Sequence, residues 1–300
     1  MRIIVLGAGA GGGFPQWNCR CENCRLAWAG DPRVRPRTQS SLAISADNER
    51  WLLLNASPDL RQQILATRAL HPRGAARASP IAGVFVTNGD VDHLTGLLTL
   101  REQQPFAIFG ARATLEQTRG GVFGVLNPQL VTRVAVDVGA TVDPGLGFSI
   151  TTFAAPGKVP LYMEGADIER EIGAESETTI GLEIEWDGQR FHYVPGCAKI
   201  TPKLTDRLDG SAALFFDGTT YTDDEMVRLG LSQKTAWRMG HVSMSGKAGS
   251  MAMLAQPRIG KRVYIHINNT NPVLREDSPE RAEVVRAGWD VGYDGMEIDL

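Results

Sequence analysis

The chain has 300 residues, 43% of them hydrophobic, which is enough to build one large core or two ordinary ones and excludes extended disorder. Its 31 basic and 34 acidic residues give a net charge of -3, so no cationic excess is available to neutralise a nucleic-acid backbone or an anionic membrane. A small molecule or a peptide is the expected partner.

No apolar stretch reaches the roughly 18 residues that span a bilayer. The opening MRIIVLGAGAGGG runs into glycines and Pro15 rather than through a signal-peptide core and cleavage site, so a cytoplasmic protein is expected. The first predicted strand is Arg2 to Leu6, a β-branched run ending at glycine. A long loop follows it. Ser40 to Ser45 and Trp51 to Asn55 read as two strands of a hairpin, turned at Asp47 to Arg50. Ser57-Pro58-Asp59 has the form of a helix start before an amphipathic stretch through Leu65 to Leu70.

Ile81 to Thr87 is a continuous apolar run and reads as a buried strand. It ends at the densest polar cluster of the chain, Asn88-Gly89-Asp90-Val91-Asp92-His93. A helix over Leu94 to Arg101 and a strand over Phe106 to Phe109 come next. Further strands are predicted at Phe148 to Phe153, Thr179 to Glu185, Arg190 to Val194, Ala212 to Phe216 and Val263 to Ile267. Ser278-Pro279-Glu280 starts a last helix over Arg281 to Ala287, stopped by Gly288, and Trp289 to Tyr293 and Met296 to Leu300 read as closing strands. Charged, aperiodic Glu164 to Glu177 is expected to be a mobile loop. With no Ser/Gly-rich linker, the expectation is a single α/β domain over residues 1–300, two packed sheets flanked by helices, with a cysteine loop at 14–26 inserted after the first strand.

Three of the four cysteines, Cys19, Cys21 and Cys24, fall within six residues. They are too crowded to pair with one another, and their spacing suits one tetrahedral zinc ion at about 2.3 Å per sulfur, pinning a loop that has few apolar anchors. The bland alternative is a set of reduced surface thiols. Cys197 stands alone and reads as a core residue. The glycines at 7, 9 and 12 satisfy a dinucleotide fingerprint, but Gly13 to Asn18 do not begin the helix that a pyrophosphate needs. They are expected instead to let backbone approach the active centre.

Asp90, Asp92 and His93 are presented within four residues at a strand end. A carboxylate beside an imidazole can grip a cation from two sides, and His266, at the tip of VYIHI, is the partner expected to complete the set. Two His and one carboxylate with open positions suit non-haem iron(II), although zinc or manganese would also bind. Of the five His, His71 and His192 read as ordinary surface or core imidazoles. His241, next to a glycine, is an acid/base, an outer ligand or a structural residue. Asp217, at a strand end, is a ligand or a carboxylate orienting a His.

The order of an Asp-x-Asp-His loop, a distant Asp after a strand and a late strand ending in His is similar to the metallo-β-lactamase superfamily, whose signature is H-x-H-x-D-H. More closely, GAGAGGGFPQWNCRCENC, RTQSSLA, NASPDLRQQ, DVDHLTGLLTLRE, DGTTYTDDEM, MGHVS and HINNTNPVL resemble the B-protein family of pyrroloquinoline quinone (PQQ) biosynthesis, over nearly the whole chain. The resemblance implies a four-layer αββα sandwich. Asn88 and Asp90 stand where the superfamily has its first two His, and the later His and bridging Asp fall at Gly157 and Gly196, which leaves a single-metal centre of Asp92, His93 and His266.

The family resemblance further implies an iron-dependent oxygenase, with O2 as co-substrate, that hydroxylates the tyrosine ring of a cross-linked Glu-Tyr precursor from a small peptide. His241 would then move the phenolic proton, and Arg61, Arg101 or Arg238 would hold substrate carboxylates. In the phosphodiesterase branch of the superfamily the fourth zinc ligand is a His three residues after the late metal His, here Asn269. Two other readings compete: a metal-dependent hydrolase acting through a metal hydroxide, and a non-catalytic carrier of PQQ or its precursor. The sequence is compatible with a homodimer.

Overall fold

The computed structural model describes residues 1–165 and 172–300. Among the described residues the strands are β1 (Arg2–Gly7), β2 (Ser41–Ser45), β3 (Trp51–Leu54), β4 (Ile81–Val86), β5 (Phe106–Gly110), β6 (Val131–Ala135), β7 (Thr141–Val142), β8 (Ser149–Gly157), β9 (Ala174–Trp186), β10 (Gln189–Val194), β11 (Ser211–Asp217), β12 (Ile259–Ile265), β13 (Asp290–Val291) and β14 (Glu297–Asp299). They form two seven-stranded sheets, ordered β14-β1-β2-β3-β4-β5-β6 and β13-β12-β11-β10-β9-β8-β7.

Strand alternation sorts the apolar side chains into three cores. Ile3 and Val5 of β1, Leu42 and Ile44 of β2 and Phe85 of β4 point inward and meet Leu182, Ile184, Phe191, Phe215 and Val263 of the second sheet. Ile4, Leu6, Leu53, Val84 and Val86 point the other way, under Leu60, Leu94, Leu97 and Leu115 of the outer helical segments. On the far side Leu214, Phe216 and Tyr264 pack against Leu204, Leu208, Val284 and the buried Cys19 and Cys24. The result is the expected αββα sandwich.

Within each sheet one half is parallel: β3 to β6 in the first, β10 to β13 in the second. Loops at the carboxyl ends of parallel strands are where open α/β sheets hold ligands. Here β4 delivers the Asn88 to His93 segment, β11 ends on Asp217, and β12 stops one residue before His266. The two closing strands part company: β13 joins the second sheet, whereas β14 pairs with β1 of the first, where the Met1 amino group also donates to the Leu300 carbonyl at 2.8 Å.

Several elements differ from expectation. Residues 94–101 are not an α-helix; the α-helix is Val91–Leu94, followed by a 3-10 turn over Thr95–Leu100. The helices Glu22–Trp28, Arg112–Gln117 and Pro202–Leu208 have no strong period in sequence, yet their apolar sides are drawn onto the sheets. The mobile loop expected over Glu164 to Glu177 is corrected in part: residues 174–177 begin β9, paired with β8 through Pro156↔Glu175 and Gly157↔Ala174, and Glu164 is held in ion pairs. Its middle, 166–171, lies outside the described residues. No helix among the described residues is long and apolar enough to cross a membrane.

Asn55, just after β3, stitches the two sheets together beneath the site. It adopts a left-handed φ of 63°, accepts from the Thr87 amide at 2.9 Å through Oδ1, and donates through Nδ2 to Thr87 Oγ1 at 3.0 Å and to the Tyr193 hydroxyl of β10 at 3.2 Å. Replacing it by Ala leaves buried polar partners unmatched and a strained backbone, each worth about 1–3 kcal/mol. Asn55→Ala is therefore expected to lower the denaturant midpoint by a loss of at least that size. A midpoint equal to wild type would show that the stitch is dispensable.

Candidate metal centres

Cys19 lies in the loop after β1, Cys21 immediately precedes the helix Glu22–Trp28, and Cys24 lies in its first turn. The thiols thus stand on a loop-to-helix junction rather than on one loop. Their three sulfurs lie within 4.8 Å of one another, which matches the roughly 3.8 Å edge of a tetrahedron drawn with zinc–sulfur distances of about 2.3 Å. The Asn269 side chain reaches all three, with Nδ2 at 3.1, 3.7 and 3.3 Å from the sulfurs of Cys19, Cys21 and Cys24. An amide that carries an oxygen donor therefore stands where a fourth ligand belongs. Asn23 fixes this segment by donating to the carbonyls of Asn269 and Asn271 at 3.1 and 2.9 Å. Burial, only partly opposed by the hydrogen bond from the Cys24 backbone, pushes the Cys21 thiol up to about 12, and a cation among the sulfurs would favour its thiolate.

The second cluster joins the two sheets. Asp92 and His93 project from the helix Val91–Leu94, and His266 projects from the residue after β12 with a left-handed φ of 54°. His266 Nε2 is 3.1 Å and His93 Nε2 3.7 Å from the same Asp92 oxygen, Oδ2. All three donor atoms fall within 4.8 Å of each other.

Each imidazole is oriented from behind. His93 Nδ1 lies 2.6 Å from Asn88 Oδ1, so Nδ1 carries the proton and Nε2 keeps its lone pair. His266 Nδ1 lies 2.9 Å from Thr219 Oγ1, which also donates to Asp217 Oδ1 at 2.7 Å. His93 Nε2 is buried and has no hydrogen-bond partner among the described residues. A buried acceptor aimed at a carboxylate and a second imidazole is what a metal ligand looks like, so the residues present fit a divalent ion.

The electrostatics agree. Burial, only partly opposed by the Asp92 carboxylate, lowers His93 to about 4 and keeps its ring neutral. Burial works against the Asp92 charge, but His93 and the bond from His266 override it and hold the carboxyl below its usual range. Burial likewise opposes a charged His266, and its bond to Asp92 outweighs that and raises it.

A second set, Asp217, His241 and His266, also lies within 4.8 Å and shares His266 with the first. Asp217 is fully buried and accepts from the Cys197 amide at 2.9 Å, while its Oδ2 lies 2.6 Å from His241 Nδ1. This pair therefore orients His241 by Nδ1, and its Nε2 has no hydrogen bond among the described residues. The carboxylate on this side of the centre is thus Asp217, expected from its strand end, while the superfamily's bridging position is held by Gly196. At Gly157, by contrast, an added Cβ would lie 2.6 Å from the Thr179 side chain, so no imidazole fits in that direction.

The other expected site residues fare differently. Asp90 is corrected: it lies outside both donor sets, because Asn88 Nδ2 donates to its Oδ2 at 2.9 Å and the chain turns into the helix at Val91. Burial first, then Asp92, raise its carboxyl. Arg61 and Arg101 are exposed, Arg101 being engaged by the Leu98 carbonyl and Glu102, and neither has a described hydrogen bond or ion pair to the clusters. Arg238, in contrast, sits three residues from His241 and pairs with Glu164. His192 is a buried imidazole between Ser211 and Glu183, and Cys197 is core, as expected. The glycine run starts no helix; a Cβ at Gly11 would sit 3.5 Å from the Asp92 carboxylate. Asn88 and Thr219 escaped sequence reasoning. Asn88 had one signal, its place in the superfamily signature; Thr219 had only its position two residues after Asp217.

Fold and site together define a metallo-β-lactamase-fold protein, and residues 50–267 match the family model described as Beta-lactamase superfamily domain. Over 303 aligned residues the chain is 56% identical to coenzyme PQQ synthesis protein B of Methylorubrum extorquens, and over 301 it is 48% identical to that of Xanthomonas oryzae pv. oryzae, each covering all of both chains. The chain belongs to the coenzyme PQQ synthesis protein B family. A crystal structure of Zn(2+)-bound PqqB from Methylobacterium extorquens superposes over all of both chains with a TM-score of 0.98 at 56% identity. A diphosphatase of the PhnP family, covering 100% and 97% of the two chains, shares the fold at a TM-score of 0.68 and 17% identity.

Two outcomes test these assignments. Cys21→Ser should lower zinc content and melting temperature together; unchanged zinc would reject the thiolate site. Asn88→Ala should weaken metal binding at the Asp92 centre about 10- to 100-fold, the usual cost of removing a residue that orients a metal-binding His, and leave the cysteine-site zinc in place. Equal affinity in both proteins would mean that Asn88 does not set the His93 tautomer.

Proposed function

We propose that this chain serves PQQ synthesis as a metal-dependent oxygenase that hydroxylates the tyrosine ring of a Glu-Tyr-derived precursor, with iron(II) held by Asp92, His93 and His266. The observation that supports it is the two-imidazole, one-carboxylate set with a neutral, partnerless His93 Nε2. Such a set binds one face of an ion and leaves positions for O2 and substrate. When bound, the iron would supply the activation of O2, one oxygen entering the ring and the other leaving as water with two electrons from an external reductant.

The protein supplies the rest. Asn88 and Thr219 hold the two ligand imidazoles in one tautomer and one orientation. Asp217 fixes His241 by Nδ1, so that its Nε2 can take the phenolic proton and return it. Gly11 lets backbone lie close to Asp92, narrowing the space beside the ligand set. Structural zinc at Cys19, Cys21, Cys24 and Asn269 would anchor the segment that carries His266, three residues earlier.

A metal-dependent hydrolase is the second reading, favoured by the Asp217, His241 and His266 set. One experiment separates the two. Protein loaded anaerobically with iron(II) and given a Glu-Tyr-derived substrate, oxygen and a two-electron reductant should yield a product heavier by one hydroxyl oxygen. No such product with iron, together with turnover of a phosphodiester with zinc, would overturn the oxygenase reading.

A further inference from the structure

After β8, residues 158–164 pass the Gly89 turn beside the Asp92 centre and return to Lys158. Thr179 Oγ1 fixes the start by donating to the Lys158 carbonyl at 2.9 Å. The Tyr162 hydroxyl donates to the Gly89 carbonyl at 2.9 Å, next to Asp90. The Glu164 carboxylate meets Lys158 Nζ at 3.0 Å, Arg238 Nη2 at 3.1 Å and Lys234 Nζ at 3.6 Å.

These cations lie beside the catalytic His241. Arg238 belongs to the helix Ala236–Met239, which Gly240 ends at a left-handed φ of 89° directly before His241. A Cβ on Gly240 would stand 2.7 Å from Lys158 Cγ, so the lysine stem lies against that turn. Among the described residues three cations face the Glu164 carboxylate. Arg238 Nη1 is buried with no hydrogen-bond partner among the described residues. The Val159 carbonyl also accepts from Lys158 Nζ at 3.2 Å, so among the described residues it is Arg238 that keeps an unmatched donor.

We propose that Lys158, Lys234 and Arg238 form the seat for a substrate carboxylate and that Glu164 is an internal stand-in which the substrate displaces. The proposal rests on the reading of a Glu-Tyr-derived, polycarboxylate substrate. The seat would then hold the carboxylate end of the molecule while its ring lies at the ligand set, with His241 between them. It also gives residues 158–164 a role: in this arrangement they cover the site and compete with what enters it.

The test is direct titration of the full-length, zinc-loaded protein with PQQ, a polycarboxylate, comparing wild type with Glu164→Gln, Arg238→Gln and Lys158→Gln. Circular dichroism and metal content confirm that each variant is folded and loaded. Glu164→Gln, which removes the internal competitor, should bind PQQ several-fold more tightly. Arg238→Gln and Lys158→Gln should each bind about tenfold or more weakly, the scale of a lost charge-assisted hydrogen bond, with unchanged metal content. Weaker binding by folded Glu164→Gln, or unchanged binding by both cation variants, would overturn the proposal. The two readings fail separately. Oxygenated product formed with an unchanged KM in Arg238→Gln removes the seat and keeps the oxygenase. Arg238-dependent PQQ binding without oxygenated product keeps the seat and removes the oxygenase.

Discussion

The contact between Asp92 and His266 is the constraint on which the site depends. The carboxylate comes from the first sheet, the imidazole from the second, and they meet at 3.1 Å where the parallel strands of both sheets end. The Asp92, His93 and His266 set forms only where donors from both sheets meet. The two must be packed in one register before the donors converge, which is why the large inner core and the Asn55 to Tyr193 bond matter to the chemistry. The left-handed His266 backbone is costly for a non-glycine residue and is held by its surroundings: the Ile267 amide donates to the Ala8 carbonyl, and the Ala10 amide donates to the Ile267 carbonyl.

The same short segment serves both metal-ligand clusters. His266 points at Asp92, Asn269 at the three thiols, and Thr270 donates to the buried Glu225. A cysteine site that looks remote in sequence thus acts on the position of His266 through three residues of backbone. The buried ionisable groups around it make sense only as a set. Buried carboxylates and imidazoles are costly singly, and here Asp92, His93, His266, Asp217 and His241 are arranged so that each charge faces a partner or a ligand position.

Much of this was legible from residue order. β1, β4, β11 and β12 announced themselves as apolar runs, and the polar residues that cap three of them, Asp92 with His93, Asp217 and His266, were visible as strand-end donors. Residues that act by orientation were harder to see. Asn88 and Thr219 are neutral side chains whose importance lies in a 2.6 Å and a 2.9 Å bond to imidazoles, and nothing local in the sequence shows that geometry. Asp90 misled because proximity in sequence does not show which way a carboxylate turns when a helix begins one residue later. Arg61 and Arg101 were chosen by residue type alone, and outer helical segments carry many such charges. The strand at 174–177 was hidden because its pairing with β8 is long-range, while its own composition reads as loop.

The central claim is that one divalent ion is gripped by Asp92, His93 and His266. The most direct measurement is iron-edge X-ray absorption with metal counting on anaerobically iron(II)-loaded protein, comparing wild type with His93→Ala and His241→Ala. The account predicts one iron per chain with two imidazoles and a carboxylate among its ligands, lost in His93→Ala and retained in His241→Ala. Iron retained in His93→Ala and lost in His241→Ala would place the ion on the Asp217 side and contradict it.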